Sequence, residues 1–93
     1  MSEREPEDDS YSGTEVPRRL LEYLAEGLVD EPDEVSVTQS ETDSGTVVLE
    51  LSVAAEDYGR VIGRGGRTAH ALRTVVKAAA TGKGCHVLVD IVD

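Results

Sequence analysis

The segment Gly63-Arg64-Gly65-Gly66-Arg67 sets three glycines and two arginines into five consecutive positions. Those residue types, so spaced, suit the binding of phosphate. A backbone without Cβ lets an anion approach closely, and guanidinium groups beside it supply charge and N–H donors. The flanking sequence sharpens this reading. From Tyr58 to Gly84 the chain carries six bases (Arg60, Arg64, Arg67, Arg73, Lys77 and Lys83) and no acid, whereas residues 1–57 hold 17 acids against 3 bases. A basic island inside a chain of net charge −10 marks one surface for a polyanion. The acidity elsewhere disfavours loose adhesion to nucleic acid or membrane.

Other glycine-rich chemistries fit less well. The segment lacks the Gly-Lys-Ser/Thr ending of a P-loop, and Thr68 stands where a dinucleotide-binding fingerprint needs its third glycine. No nucleophile–base set or pair of catalytic carboxylates adjoins the island, so neither an enzyme nor a cofactor is expected. Cys85 and His86 are neighbours in an apolar stretch that reads as a strand, which turns their side chains to opposite faces. With no second cysteine, a metal site is not expected there, and Cys85 reads as a small core residue.

The elements that position the island follow from apolar spacing. Residues 1–16 are mostly Glu, Asp, Ser, Pro and Gly, and are expected to form a disordered acidic tail ahead of a domain spanning 17–93. Pro17 suits the first position of a helix, and Leu20, Leu21, Leu24 and Leu28 continue it until Asp30-Glu31-Pro32-Asp33 stops it. Val35 and Val37, a turn at Thr42-Asp43-Ser44-Gly45, and Val47, Leu49, Leu51 and Val53 at period two predict a hairpin with one apolar face. Helical spacing returns with Tyr58, Val61 and Ile62, and Tyr58 is expected in the core rather than as a base platform. After the glycine turn a second helix is expected from about Arg67 to Ala80, with Ala69, Leu72, Val75, Val76 and Ala79 as its apolar stripe. Gly82-Lys83-Gly84 ends it, and Cys85 to Val92 forms a last strand. The predicted class is α+β: an α-β-β-α-α-β order, three strands packed on helices in two layers.

The remaining bounds are short. Ninety-three residues make one small domain, and without Trp or Phe its core must be aliphatic. No apolar run approaches the roughly 20 residues of a membrane span. The opening Ser-Glu-Arg-Glu-Pro-Glu is unlike a signal peptide, and one cysteine forms no internal disulfide, so an intracellular setting is expected.

In this arrangement the second helix starts right after the glycine turn, so its unpaired N–H groups and positive dipole end point at the loop. Arg64 and Arg67 add charge beside it, while His70, Arg73, Thr74 and Lys77 on the polar side of the helix continue the track.

Val61-Ile62-Gly63-Arg64-Gly65-Gly66-Arg67-Thr68 resembles the Ile-Gly-X-X-Gly element of KH domains, which clamp about four nucleotides of single-stranded nucleic acid. Gly63 and Gly66 are the framing glycines, Arg64 and Gly65 the variable pair, and the element order is that of the type II KH fold. The stretches LVDEPDEVSV (28–37), VLELSVAAEDYGRVIGRGGRTAHALRTVVKAAA (48–80) and VDIVD (89–93) resemble the small bacterial KH proteins of the KhpA (YlqC-type) family, over about residues 18–93. The resemblance implies a non-enzymatic, cytoplasmic RNA-binding protein, acting in post-transcriptional regulation or as an RNA chaperone. It also implies a homodimer, or a heterodimer with a larger KH-domain protein. The RNA-binding residues it points to are Ile62, Gly63, Arg64, Gly65, Gly66 and Arg67 at the clamp, with His70 and Arg73 along the helix. A protein-interaction or ribosome-assembly module built on the same fold is the alternative.

Overall fold

The computed structural model describes residues 9–92. Helix α1 spans Asp9–Leu28, strand β1 Ser36–Glu41, strand β2 Val47–Ser52, helix α2 Tyr58–Ile62, helix α3 Arg67–Gly82 and strand β3 Val87–Val92. The α-β-β-α-α-β order and the α+β class are as the apolar spacing predicts. Strand order is β1-β2-β3. The short turn after β1 makes it antiparallel to β2, with Val37 opposite Leu51 and Gln39 opposite Leu49. β3 runs parallel to β2, with Leu49 opposite Val89. Parallel pairing requires a crossover, and here the crossover consists of α2, the glycine turn and α3.

One face of the sheet is buried and the other is not. Val47, Leu49 and Leu51 of β2 and Val87, Val89 and Ile91 of β3 point into the core, while Glu50, Leu88 and Asp90 point out. The helices close the core with Leu21 and Ala25 from α1, Val61 from α2, and Ala69, Leu72, Val76 and Ala80 from α3. Tyr58 and Cys85 are half-buried and pack against its edge. Among the described residues no helix is long and apolar enough to cross a membrane.

Two local expectations need correction. The first helix does not begin at Pro17: it begins at Asp9 and carries Pro17 in its interior. An internal proline removes a hydrogen bond and crowds the carbonyl four residues back. Packing offsets this, because Thr14, Pro17, Leu21 and Ala25 form one buried row at helical spacing. The Thr14 hydroxyl also accepts a hydrogen bond from the Gln39 amide on β1, at 3.3 Å. The polar composition of residues 9–16 concealed that continuation. Residues 1–8 of the expected tail lie outside the described residues. The second correction concerns α3, whose buried row is Ala69, Leu72, Val76 and Ala80. Val75, expected in the stripe, is 46% exposed, because the row continues by steps of four from Leu72 and leaves Val75 one position aside.

A buried carboxylate fixes α2 to the end of α1. Asp57, 1% exposed, accepts the backbone N–H groups of Asp30 at 3.2 Å and Glu31 at 3.0 Å. Arg60 Nε stands 3.3 Å from the same carboxylate, and Arg60 Nη2 reaches Asp30 at 3.0 Å. Asp57→Ala leaves those donors unmatched and should destabilise the domain by about 2 kcal/mol, with Asp57→Asn, which keeps one acceptor, intermediate. Urea denaturation of the three proteins checks the order.

Candidate nucleic-acid interface

Helix α2 is a five-residue stub that ends at Ile62. Gly63 follows with φ 77° and ψ 170°, a backbone region open in practice only to glycine. Its N–H donates to the carbonyl of Gly59 at 2.8 Å, closing the helix, and its own carbonyl accepts from the N–H of Gly66 at 3.1 Å. A single tight turn over Arg64–Gly66 then brings the chain into α3. Gly65 and Gly66 also take positive φ, 64° and 79°. The three glycines therefore answer three separate left-handed positions in one connection.

Gly63 has a second reason to be glycine. A Cβ there would overlap the Thr68 hydroxyl oxygen and lie 2.7 Å from Thr68 Cβ and 2.9 Å from Thr68 N. The start of α3 is thus packed directly on the backbone that leaves α2. Gly65 and Gly66 differ: a Cβ at either would meet nothing within 4 Å. Their missing side chains leave the turn bare on its outer side. Gly66 is the N-cap of α3 and no side chain caps the helix there; the Gly66 and Arg67 N–H groups donate within the turn, to the carbonyls of Gly63 and Arg64, and the positive dipole end behind them faces the turn.

The acid-free island of the sequence divides into separate groups in space. Arg64 and Arg67 flank the turn, both exposed. Neither forms an ion pair among the described residues, whereas Arg18 and Arg19 pair with Glu22 and Glu15 along α1, and Arg60 pairs with Asp30 and Asp57. Gly66, His70, Arg73 and Lys77 succeed one another at helical spacing, so one row of α3 leads away from the turn. His70 and Lys77 are exposed and Arg73 is half-buried. Arg73 Nε donates to the carbonyl of Val89 at 3.2 Å, which places this row beside β3. Thr74 turns its hydroxyl back onto the His70 carbonyl at 2.9 Å. Lys83 lies past the far end of α3, about 24 Å along the helix from the turn. Ile62, Gly63, Arg64, Gly65, Gly66 and Arg67 are thus contiguous, with His70 and Arg73 continuing the surface along α3.

Two positioning residues were not legible as such. Asp57 looked like an ordinary acid at a helix start, since its backbone partners, Asp30 and Glu31, are remote in sequence. Thr68 was part of the motif, but nothing in its type announces contact with a glycine five positions earlier.

The family model for the KhpA/KhpB KH domain matches residues 18–91. The chain belongs to the KhpA/KhpB KH-domain family. Among its relatives, the RNA-binding protein KhpA of Clostridium acetobutylicum is 51% identical over 75 residues, covering 81% of this chain and 99% of that protein. The RNA-binding protein KhpA of Streptomyces coelicolor is 53% identical over 73 residues, covering 78% of this chain and 87% of the relative. The same fold occurs in Era, solved in complex with MgGDPNP and nucleotides 1506–1542 of 16S ribosomal RNA. Era aligns with a TM-score of 0.61 at 15% identity, over 97% of this chain and 35% of its own. Within this KH domain, Gly63 and Gly66 frame the turn that joins the two helices of the crossover.

The glycines should separate by substitution. Gly63→Ala combines a forbidden backbone region with overlap on Thr68 and should destabilise the domain by about 3 kcal/mol. Gly65→Ala and Gly66→Ala carry only the left-handed penalty, about 1 kcal/mol each. Thermal and urea unfolding of the three variants measures the difference.

Proposed function

We propose that this chain is a non-enzymatic, cytoplasmic protein that clamps single-stranded RNA at the Gly63–Gly66 turn. The observation that carries the reading is the bare glycine turn at the uncapped start of α3, flanked by Arg64 and Arg67, which have no acid partner among the described residues. Gly65 and Gly66 admit the phosphodiester to the backbone, Gly63 sets the course of the chain, and Ile62 anchors the loop from its half-buried position. Arg64 and Arg67 supply charge, and His70 and Arg73 line the path of the strand beyond. Relatives about half identical to this chain bear the name RNA-binding protein, which supports the choice of RNA. Three tyrosines and no Phe or Trp leave little for base stacking. Binding therefore rests on backbone, charge and hydrogen bonds. A short clamp without catalytic groups suits an RNA chaperone or a post-transcriptional regulator.

A second feature supports pairing of two KH domains. Tyr23, Leu28 and Val75 are 73%, 38% and 46% exposed, and Leu24, Leu28, Ala71, Leu72 and Val75 line an apolar groove of about 250 Å³ between α1 and α3. This face pairs with a second copy of the chain, or with the KH domain of a larger protein, and leaves the glycine turn open. Two clamps on one RNA raise avidity without any new contact. Val75→Glu should convert a dimer into a monomer by light scattering, and should weaken binding to an RNA long enough for two clamps more than to one that fills a single clamp.

The clamp itself is tested by Arg64→Asp combined with Gly65→Asp. Aspartate tolerates the left-handed conformation, so folding should persist while binding of a short single-stranded RNA is lost. With two or three phosphates neutralised, wild-type affinity should fall about tenfold between 50 and 200 mM salt. Fluorescence anisotropy measures both. A folded wild-type protein that binds no single-stranded RNA at low salt contradicts the proposal.

A further inference from the structure

The helices cover one face of the sheet, and the other is uncovered among the described residues. The strand register fixes what lies side by side on that open face. Val48 stands opposite Leu88, Glu50 opposite Asp90, and Ser52 opposite Val92. Opposed residues on neighbouring strands share a face, so an acidic row lies between two rows that carry aliphatic side chains. Leu88 is 50% exposed, and Val48 and Val92 are half-buried. On the flank, β1 adds small polar groups, with Thr38 opposite Glu50 and Ser40 opposite Val48.

The acidic row is the unusual one. Glu50 and Asp90 are both exposed and directly opposed, on strands about 5 Å apart. Like charges so placed destabilise a sheet. Among the described residues no hydrogen bond or ion pair engages either carboxylate. None of the three strands carries a lysine or an arginine. The pair therefore adds nothing to the fold, and it leaves room for one cation between two apolar contacts.

We propose that this open sheet face docks an amphipathic helix of a partner protein, one that presents an arginine between two aliphatic side chains. Charge selects the occupant. Paired carboxylates repel RNA and anionic lipid, and a wholly apolar helix would strip water from two unmatched charges. Helix α1 of a second copy presents Tyr23 beside Glu22 and Glu26 and meets like charge. Spacing selects the pattern. Successive rows are two residues apart along the strands, about 6.6 Å, and four residues of a helix rise about 6 Å. A helix laid along β2 and β3 therefore meets the rows with positions i, i+4 and i+8, which lie on one helix face. At i+4 the planar guanidinium has donors enough for both carboxylates. The face lies across the sheet from α3 and the glycine turn, so docking leaves the RNA site open and does not depend on it.

The probe is an alanine-rich helical peptide of about 18 residues with Leu, Arg and Leu at i, i+4 and i+8. Titrated at low salt into the 15N-labelled full chain, it should shift the amides of Val48, Glu50, Leu88 and Asp90 and leave Gly63, Gly65 and Gly66 in place. The same peptide with Glu at i+4 should bind about tenfold more weakly or less. Glu50→Gln combined with Asp90→Asn should weaken the arginine peptide about tenfold, and Leu88→Ser should weaken it by a similar factor. Both variants should stay folded by their melting curves and keep their affinity for a short single-stranded RNA within about twofold. The inference is overturned if the arginine peptide causes no shifts at millimolar concentration, if the shifts fall elsewhere, or if the folded double variant binds it as tightly as wild type. Self-association of the chain that Leu88→Ser abolishes, or RNA-induced shifts on this face, would give the face to another occupant and overturn it too.

Discussion

The contact between Gly63 and Thr68 constrains everything around the candidate site. The chain must turn from α2 into α3 within a few residues on the crossover that returns β3 parallel to β2. The reversal brings the first turn of α3 against the last backbone unit of α2, closer than any side chain on residue 63 would permit. Once that approach is made, the turn between them projects outward, and Gly65 and Gly66 lie at its exposed tip with open space beyond. The helix that follows starts uncapped because its N-cap is a glycine. Topology, backbone conformation and the open helix start therefore have one origin.

Charge is distributed around that turn by pairing as much as by sequence. Arg60 belongs to the basic island by position, yet Asp57 and Asp30 engage it, and it serves to hold α2 in place. Asp57 is a buried acid with backbone donors on one side and this guanidinium on the other. Such a group contributes to stability only while all its partners are present. Arg73 is engaged differently, by a neutral backbone carbonyl that orients it without cancelling its charge. Arg64 and Arg67 bear neither restraint. The result is a graded surface: exposed cations at the glycine turn, an oriented one farther along α3, and acids over most of the remainder of the chain.

Much of this was legible in the sequence because it depends on local rules. Alternating apolar residues in Val47–Ser52 and Val87–Val92 fixed which face of the sheet is buried, and the glycine cluster marked the turn without any knowledge of the fold. What escaped depends on contacts between distant segments. The start of α1 was misjudged because a proline in a polar stretch normally begins a helix, whereas here Thr14 and Pro17 extend a buried row against β1. Asp57, Arg60 and Arg73 each engage a partner 16 to 30 positions away, beyond the reach of spacing or propensity; only the Asp57–Arg60 pair, three positions apart, is local. Val75 fits the helical stripe by type, and only the exact rotation of α3 against the sheet leaves it outside.

The central claim is that RNA meets the chain at the glycine turn and follows α3 toward the edge of β3. Titrating a 15N-labelled sample with a short single-stranded RNA, and following the backbone amides by NMR, tests it most directly. The largest shifts should fall on Gly63, Gly65, Gly66 and Arg67, with smaller ones through His70 and Arg73 to Val89. Shifts confined to the open face of the sheet, at Thr38, Glu50 and Leu88, with the glycine turn unchanged, would contradict the account.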